Sequence, residues 1–118
     1  MSLVTGPAFL GVRPKPHGIT CTESSDTITV GSVAGIVVVT VKSETGTADD
    51  LATVNGTRAN QIIILKPYTG HTITVKTGGN LKATAVGGVI KALDAYDTLT
   101  FISDGTYLSE QSRGDNPS

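Results

Sequence analysis

Runs of apolar residues, each about the length of a β-strand, recur along this chain and are separated by turn-forming residues. The clearest runs are "IVVVTVK" (36–42), "QIIILKP" (61–67), "HTITVKT" (71–77) and "DTLTFIS" (97–103). Alternation with a period of two is typical of strands with one buried face, and short continuous apolar runs are typical of buried strands. None of these runs is long enough to cross a membrane as a helix, so we expect no membrane insertion.

The residue types within these runs also favour strands. Thr (18), Val (12) and Ile (9) make up a third of the 118 residues, and β-branched side chains are favoured in strands over helices. With 14 Gly and 5 Pro to separate the runs, the sequence predicts an all-β fold, specifically a small antiparallel β-sandwich or barrel-like domain. Aromatic residues are few, so the core is thin and other copies of the chain are expected to complete its burial.

The segment "YDTLTFISDGTYLSEQSR" (96–113) predicts a terminal β-hairpin, with Asp104-Gly105 as the central pair of a type I′ turn. Leu99 and Phe101 fall on one face of the first strand, and Leu108 lies on the second. A lone hairpin is marginally stable in water, so these side chains need a partner surface. We therefore assign Leu99, Phe101 and Leu108 to the core or to contacts between copies.

Two other segments leave the topology open. "LKATAVGGVIKAL" (81–93) fits either a helix or strands, and Gly87-Gly88 favours two short strands or a loop. The pattern "DTITV" (26–30) returns as "HTITV" (71–75) and "DTLTF" (97–101). Because the intervals differ, we do not interpret these similarities as a solenoid repeat.

The N-terminal segment 1–18 differs from the rest and predicts an extended arm. It contains three of the five prolines, and Pro disfavours both helices and sheet interiors. A disordered leader is the alternative, but it would not explain the apolar side chains in this segment. We predict a docking arm (1–18), a β domain (19–112) and a polar tail (113–118). The predicted partner-binding residues of the arm are Leu3, Val4, Phe9, Leu10, Arg13 and Lys15.

Charge and cysteine content limit the function classes. The net charge of −1 disfavours nucleic-acid binding, which needs a basic face. Cys21 is the only cysteine, so no disulfide can form within one chain. The N-terminus lacks the pattern of a signal peptide, and we expect folding in a cytoplasm without oxidation.

No constellation of residues typical of catalysis stands out. The sequence has no G-x-S-x-G nucleophile elbow, and His17 with Cys21 supplies only two of the four ligands of a structural zinc site. Asp94, Asp97 and Asp104 are interpreted as turn residues rather than as paired catalytic carboxylates. We therefore expect no enzymatic activity, no cofactor and no metal.

Two binding alternatives stay open. Calcium could bind at Asp49-Asp50, since adjacent carboxylates are suitable ligands. Lys66, Tyr68 and Tyr107 could contact a sugar if they are exposed, although ordinary loop surface is the simpler interpretation.

Residues 46–116 resemble a module found in virion proteins of tailed bacteriophages, including tail fibres, spikes and capsid-surface proteins. The matches occur in order and with consistent spacing over more than half of the chain. Leu108 stands where the module usually buries Trp, and Tyr107 stands where it carries Asn. The matching residues are Asp49–Leu51, Val54–Gly56, Gln61–Leu65, Thr72–Lys76, Gly79–Lys82, Asp97–Thr100, Asp104–Thr106, Glu110, Ser112 and Arg113.

The resemblance implies a β fold that is frequently trimeric and has no catalytic residues. It leads us to expect a non-enzymatic virion protein, assembled in the host cytoplasm: a trimeric capsid decoration (cement) or head-fibre protein that binds the shell through its arm. The alternative is a tail fibre or spike component that binds a host surface glycan or attaches a larger fibre. The expected partners are two further copies of the chain and other virion proteins of the capsid or tail.

Overall fold

The computed structural model describes residues 16–114, and the six predicted arm contacts, Leu3 to Lys15, lie outside this range. The described part contains strands and no helix, so the all-β prediction is confirmed. Consequently none of the described residues belongs to a helix that could span a membrane. The strands are β1 His17–Thr22, β2 Thr27–Thr29, β3 Ile36–Lys42, β4 Ala48–Leu51, β5 Thr53–Asn55, β6 Ala59–Pro67, β7 Thr72–Lys76, β8 Leu81–Lys82, β9 Val89–Leu93, β10 Thr98–Asp104 and β11 Leu108–Gly114.

The strands form three sheets. Six strands make the largest sheet, in the order β1-β3-β6-β10-β11-β8. A second sheet has the order β9-β7-β4, and β2 pairs with β5 in the third. Both short segments of 81–93 are strands, β8 and β9, as the sequence analysis favoured.

The first two-thirds of the described chain winds like a solenoid. β1, β3 and β6 are parallel neighbours, and so are β2 with β5 and β4 with β7. Parallel strands need a crossover connection, and here the crossover between β3 and β6 consists of residues 43–58, which contain β4 and β5. The second coil, from β3 to β6, thus contributes one strand to each of the three sheets: β3, β4 and β5.

The antiparallel sandwich or barrel was the wrong expectation for this part of the chain. The sheets are mixed, and the arrangement is solenoid-like rather than a clear sandwich or barrel. The turn residues between sequential runs of this part mark corners at which the chain passes from one sheet to another. The coils also differ in length. His17 of β1 lies opposite Val37 of β3, and Ile36 of β3 lies opposite Ile62 of β6. The second pair of residues is farther apart along the chain than the first.

Most strand pairs of the C-terminal part are antiparallel, as predicted, although β11 also pairs in parallel with β8. β10 pairs with β6 and with β11, and β9 pairs with β7. The predicted hairpin is present, but its turn is not type I′: Gly105 has a φ of 101°, whereas the φ of Asp104 is not positive. The Asp104 carboxylate instead accepts hydrogen bonds from the N–H groups of Thr106 and Tyr107, both at 2.8 Å.

One hydrophobic core fills the interior between the sheets. Alternate residues of the long strands point into it, including Val37, Val39 and Val41 of β3. Gln61 at the edge of this core is buried but fully paired: its Nε2 donates to the carbonyls of Ser32 (2.9 Å) and Ala34 (2.7 Å). Its Oε1 accepts a hydrogen bond from the N–H of Arg58 at 2.9 Å. The Gln61 amide therefore fixes the position of the chain where β6 begins.

The strands extend slightly past the domain limits predicted from the sequence. His17 and Gly18, assigned to the arm, lie in β1, and residues 113–114, assigned to the tail, lie in β11. The division into arm, β domain and tail otherwise stays a prediction, because the arm and most of the tail are outside the described residues.

Candidate functional site

The three hairpin residues assigned to the core or to contacts between copies are all buried within one chain. Leu99, Phe101 and Leu108 have no exposed surface and belong to the central cluster of apolar side chains. Leu99 and Phe101 lie opposite Leu65 and Ile63 of the neighbouring strand β6. A contact of these three side chains with another copy stays a prediction.

The opposite side of the six-stranded sheet carries a second set of apolar side chains, which we call the outer face. In β3, Ile36 and Val38 alternate with the buried valines and are half-buried. They lie opposite Ile62 and Ile64 of β6, which alternate with buried residues in the same way. Ile102 of β10 is opposite Ile62 and is 38% exposed.

These five residues (Ile36, Val38, Ile62, Ile64 and Ile102) are contiguous over three adjacent strands. All are β-branched, so their side chains have little rotamer freedom to lose on contact. Contiguous apolar surface on a protein typically marks an interaction site. The outer face is therefore a candidate contact surface between copies of the chain.

β1 is the edge strand of the same sheet and adjoins the segment predicted as an arm. It pairs with β3 through residues His17 to Thr22, and its burial pattern shows exposure on both faces. An edge strand offers unpaired backbone groups to which another chain can add. In the described part of the chain, no strand pairs with the other side of β1.

A carboxylate cluster lies where β1 ends and β4 begins. Glu23, Asp26 and Asp49 each place a carboxylate oxygen so that the three atoms lie within 4.8 Å of one another. Ser25 and Asp26 have φ values of 53° and 61°, as in a type I′ turn, between Ser24 and Thr27, which exchange backbone hydrogen bonds of 2.9 and 3.0 Å. The turn brings Asp26 back beside Glu23.

The two inner carboxyl groups of this cluster have pKa values shifted in opposite directions. Glu23 is 1% exposed, and burial, followed by the adjacent Asp49 carboxylate, raises its pKa to about 7. The hydrogen bond with Glu23 lowers the pKa of Asp49 below its ordinary value. The backbone N–H groups of Asp50 (2.9 Å) and Glu44 (3.1 Å) also favour ionised Asp49.

Asp49 and Asp50, considered above as a calcium site, contact different partners. Asp49 faces Glu23, whereas Asp50 accepts a hydrogen bond from Lys76 Nζ at 2.9 Å in an ion pair at the surface. Both partners of that pair are 41% exposed, so it contributes little to stability.

The other groups singled out in the sequence have structural partners. The Asp94 N–H donates to the Asp97 carboxylate at 3.2 Å, and the Asp97 N–H donates to the Asp94 carbonyl at 2.9 Å, which closes a tight turn. The Cys21 thiol donates to the Thr29 carbonyl at 3.4 Å, and burial raises its pKa, so its reactive thiolate form is disfavoured.

Tyr68 and Tyr107, the tyrosines considered for sugar contact, do not line the surface groove that contains Lys66. Lys42 Nζ lies 4.7 Å from the ring centre of Tyr68, and Lys82 Nζ lies 4.7 Å from that of Tyr107. A groove of about 300 Å³ instead includes Lys66, Thr69 and Tyr96, and Tyr96 is 71% exposed. An exposed ring beside polar groups is a plausible sugar platform.

Sequence reasoning missed Glu23 and the outer face. A signal for the outer face was available, because "IVVVTVK" and "QIIILKP" are apolar on both faces and their second face needs a partner. Glu23 gave no such signal, since its burial results from strands that are distant in sequence.

Comparison of the chain with protein-family models, with curated proteins and with solved structures gave no match.

Proposed function

We propose that this protein is a non-enzymatic structural component of a tailed-phage virion, a homotrimeric capsid decoration (cement) or head-fibre protein. The observation that carries the proposal is the outer face: five contiguous β-branched residues on a sheet whose other side is already filled by the chain's own core. The ordered resemblance of residues 46–116 to virion modules supplies the biological setting.

The outer face fits another copy of the same chain. Removing an apolar surface from water is favourable when a second apolar surface covers it. Every copy of the same chain carries this face, so copies can cover one another's outer faces. The three copies expected from the resemblance would bury these side chains around a common axis.

The arm is the proposed contact with the shell. Along the chain it adjoins β1, the exposed edge strand of the largest sheet. Apolar Leu3, Val4, Phe9 and Leu10 would fill pockets on the partner, and basic Arg13 and Lys15 would steer the encounter.

Cosedimentation with phage capsids tests this proposal. The full chain is expected to bind capsids that lack it and to saturate at a fixed number of copies. Phe9→Asp with Leu10→Asp should abolish binding while the circular dichroism spectrum stays unchanged. Val33→Asp with Val86→Asp, at residues 76% and 84% exposed in the β domain, is the matched control and should bind normally. Failure of the unaltered chain to bind capsids would count against the cement function.

The groove beside Tyr96 favours a second candidate, a fibre or spike component that binds a host glycan. The exposed ring of Tyr96 would stack on a sugar, and Lys66 and Thr69 would donate hydrogen bonds to its hydroxyls. On a glycan array, binding that Tyr96→Ala removes would support this candidate, whereas an array without signal would count against it.

A further inference from the structure

We propose that Glu23, Asp26 and Asp49 form a binding site for one divalent cation of the calcium class. Their carboxylate oxygens lie within 4.8 Å of one another, a separation that a single bound ion can bridge. Ca²⁺ prefers carboxylate, carbonyl and water oxygens at about 2.3–2.6 Å, so ligands on either side of it lie about twice that distance apart.

Glu23 supplies the independent observation that this cluster takes a ligand. Its side chain is 1% exposed, and Oε1 accepts the backbone N–H of Asp26. The other oxygen, Oε2, is buried and, when Glu23 is ionised, accepts no hydrogen bond from residues 16–114. A buried carboxylate oxygen without a partner is strongly unfavourable, and buried polar atoms in folded proteins are nearly always paired.

The group beside Glu23 cannot supply the missing partner when both acids are ionised. Asp49 is itself a carboxylate, and neither group then has a hydrogen to donate. A proton, a cation or a water molecule between them is needed to satisfy both. Two backbone N–H groups, from Glu44 and Asp50, already hold the Asp49 carboxylate in place, which preorganises it as a ligand.

The local charge also favours a cation. The three carboxylates bring up to three negative charges together, and the nearby Lys76 is bonded to Asp50 instead. Asp26 lies on an exposed turn, so water can reach that side and complete the coordination shell. An all-oxygen, carboxylate-rich site of this kind selects hard cations over soft transition metals.

Calcium titration of the full chain, after treatment with a chelator and its removal, tests this site. At a pH of about 8 we expect calorimetry to show one Ca²⁺ per chain. Thermal and urea unfolding should show a matching stabilisation: with Ca²⁺ at about a hundred times its Kd, the unfolding equilibrium constant falls about a hundredfold.

Three variants separate the site from general charge effects. Asp26→Asn keeps the turn, because Asn tolerates positive φ, and Glu23→Gln keeps the side-chain shape; each should weaken Ca²⁺ binding about tenfold or more. Asp50→Asn removes one negative charge from β4, beside Asp49 but outside the cluster, and its Kd should stay within about threefold of the unaltered chain.

Two results would overturn the proposal. One is no heat of binding and no stabilisation by Ca²⁺ up to about 10 mM, beyond the Kd range of weak extracellular calcium modules. The other is equal loss of binding in Asp50→Asn and Asp26→Asn, which would show a diffuse acidic surface. If Glu23→Gln does not fold, the exposed Asp26→Asn variant still decides between the outcomes.

Discussion

Asn80 shows how one side chain joins separate coils of this fold. Its Oδ1 accepts the N–H of Val54 at 2.9 Å, and its Nδ2 donates to the carbonyls of Val54 (2.8 Å) and Thr106 (2.9 Å). The amide thus extends the hydrogen bonding of β5 to the hairpin turn. This requires the chain before Asn80 to approach β5 closely, and Gly79 makes that approach possible.

Gly79→Ala should therefore destabilise the protein. A Cβ at Gly79 would clash with the Ala52 carbonyl oxygen, which is backbone and cannot move aside easily. We expect the free energy of unfolding to fall by about 2 kcal/mol or more in urea denaturation, a typical cost of overpacking. The matched control is Gly35→Ala, where a Cβ meets nothing within 4 Å. Equal stability of both variants would contradict the close approach.

The buried carboxyl group of Glu23 should make the stability of the calcium-free protein, measured in the presence of a chelator, fall as the pH rises. Because its pKa is raised from 4.5 to about 7, the folded chain binds more protons than the unfolded chain between these values. Stability from this group is therefore present at low pH and is lost as the pH rises from about 4.5 through about 7. Urea unfolding of Glu23→Gln should lack this loss. A curve identical to that of the unaltered chain would contradict it.

At the residue scale, the sequence was informative about local alternation but not about distant contacts. The burial of Leu99, Phe101 and Leu108 follows from period-two alternation within one hairpin. The burial of Glu23 depends on the Asp26 turn and on β4, which lies beyond β3 in the chain, so no local pattern predicts it.

At the scale of elements, Arg113 adds side-chain bonds between the C-terminal hairpin and a neighbouring sheet. Its guanidinium pairs with Glu110 at 2.6 and 2.7 Å and also donates to the carbonyls of Ile90 (2.8 Å) and Thr84 (3.1 Å). These bonds hold β11 against β9 and the loop before it. Because the hairpin covers one end of the core, its buried side chains should be sensitive to charge.

Leu108→Asp tests this sensitivity. The residue has no exposed surface, so the variant buries a carboxylate in an apolar core, and we expect the folded state to be lost or to lose more than about 3 kcal/mol. Ser109→Asp places the same charge on the exposed neighbour and should leave the melting temperature nearly unchanged. Circular dichroism distinguishes the two, and a stable Leu108→Asp variant would contradict the buried position.

The elements themselves could largely be predicted, whereas the turn geometry could not. "IVVVTVK", "HTITVKT" and the hairpin strands all form where alternation and β-branching indicated. Asp104-Gly105 was assigned to a type I′ turn from its residue types, but Asp104 uses its carboxylate to bond two N–H groups instead. The type I′ geometry occurs at Ser25-Asp26, which carries no glycine signal.

At the scale of the whole molecule, the solenoid-like winding was missed for a physical reason. The similar pentapeptides at 26–30, 71–75 and 97–101 do not stack on one another; their strands, β2, β7 and β10, pair with other strands. The segments that do stack differ in sequence and in coil length. These segments share only the alternation of buried apolar residues with other residues. Strands of antiparallel hairpins show the same alternation, so it does not distinguish the two folds.

The outer face makes a prediction about assembly. Ile64→Lys puts a charge on this face, on the side of β6 away from the core, so the chain should stay folded while the oligomer dissociates. Val86→Lys, at an 84% exposed residue away from the outer face, should leave the oligomer intact. Sedimentation velocity compares the two, and an intact Ile64→Lys oligomer would exclude the outer face as the interface.

The mass of the unaltered protein in solution tests the central claim most directly. Light scattering after size exclusion should give three times the chain mass of 12.1 kDa, about 36 kDa, over a range of loading concentrations. A trimer would agree with a virion component whose copies share their outer faces. A constant 12.1 kDa would show that the outer face needs no second copy and would contradict the account.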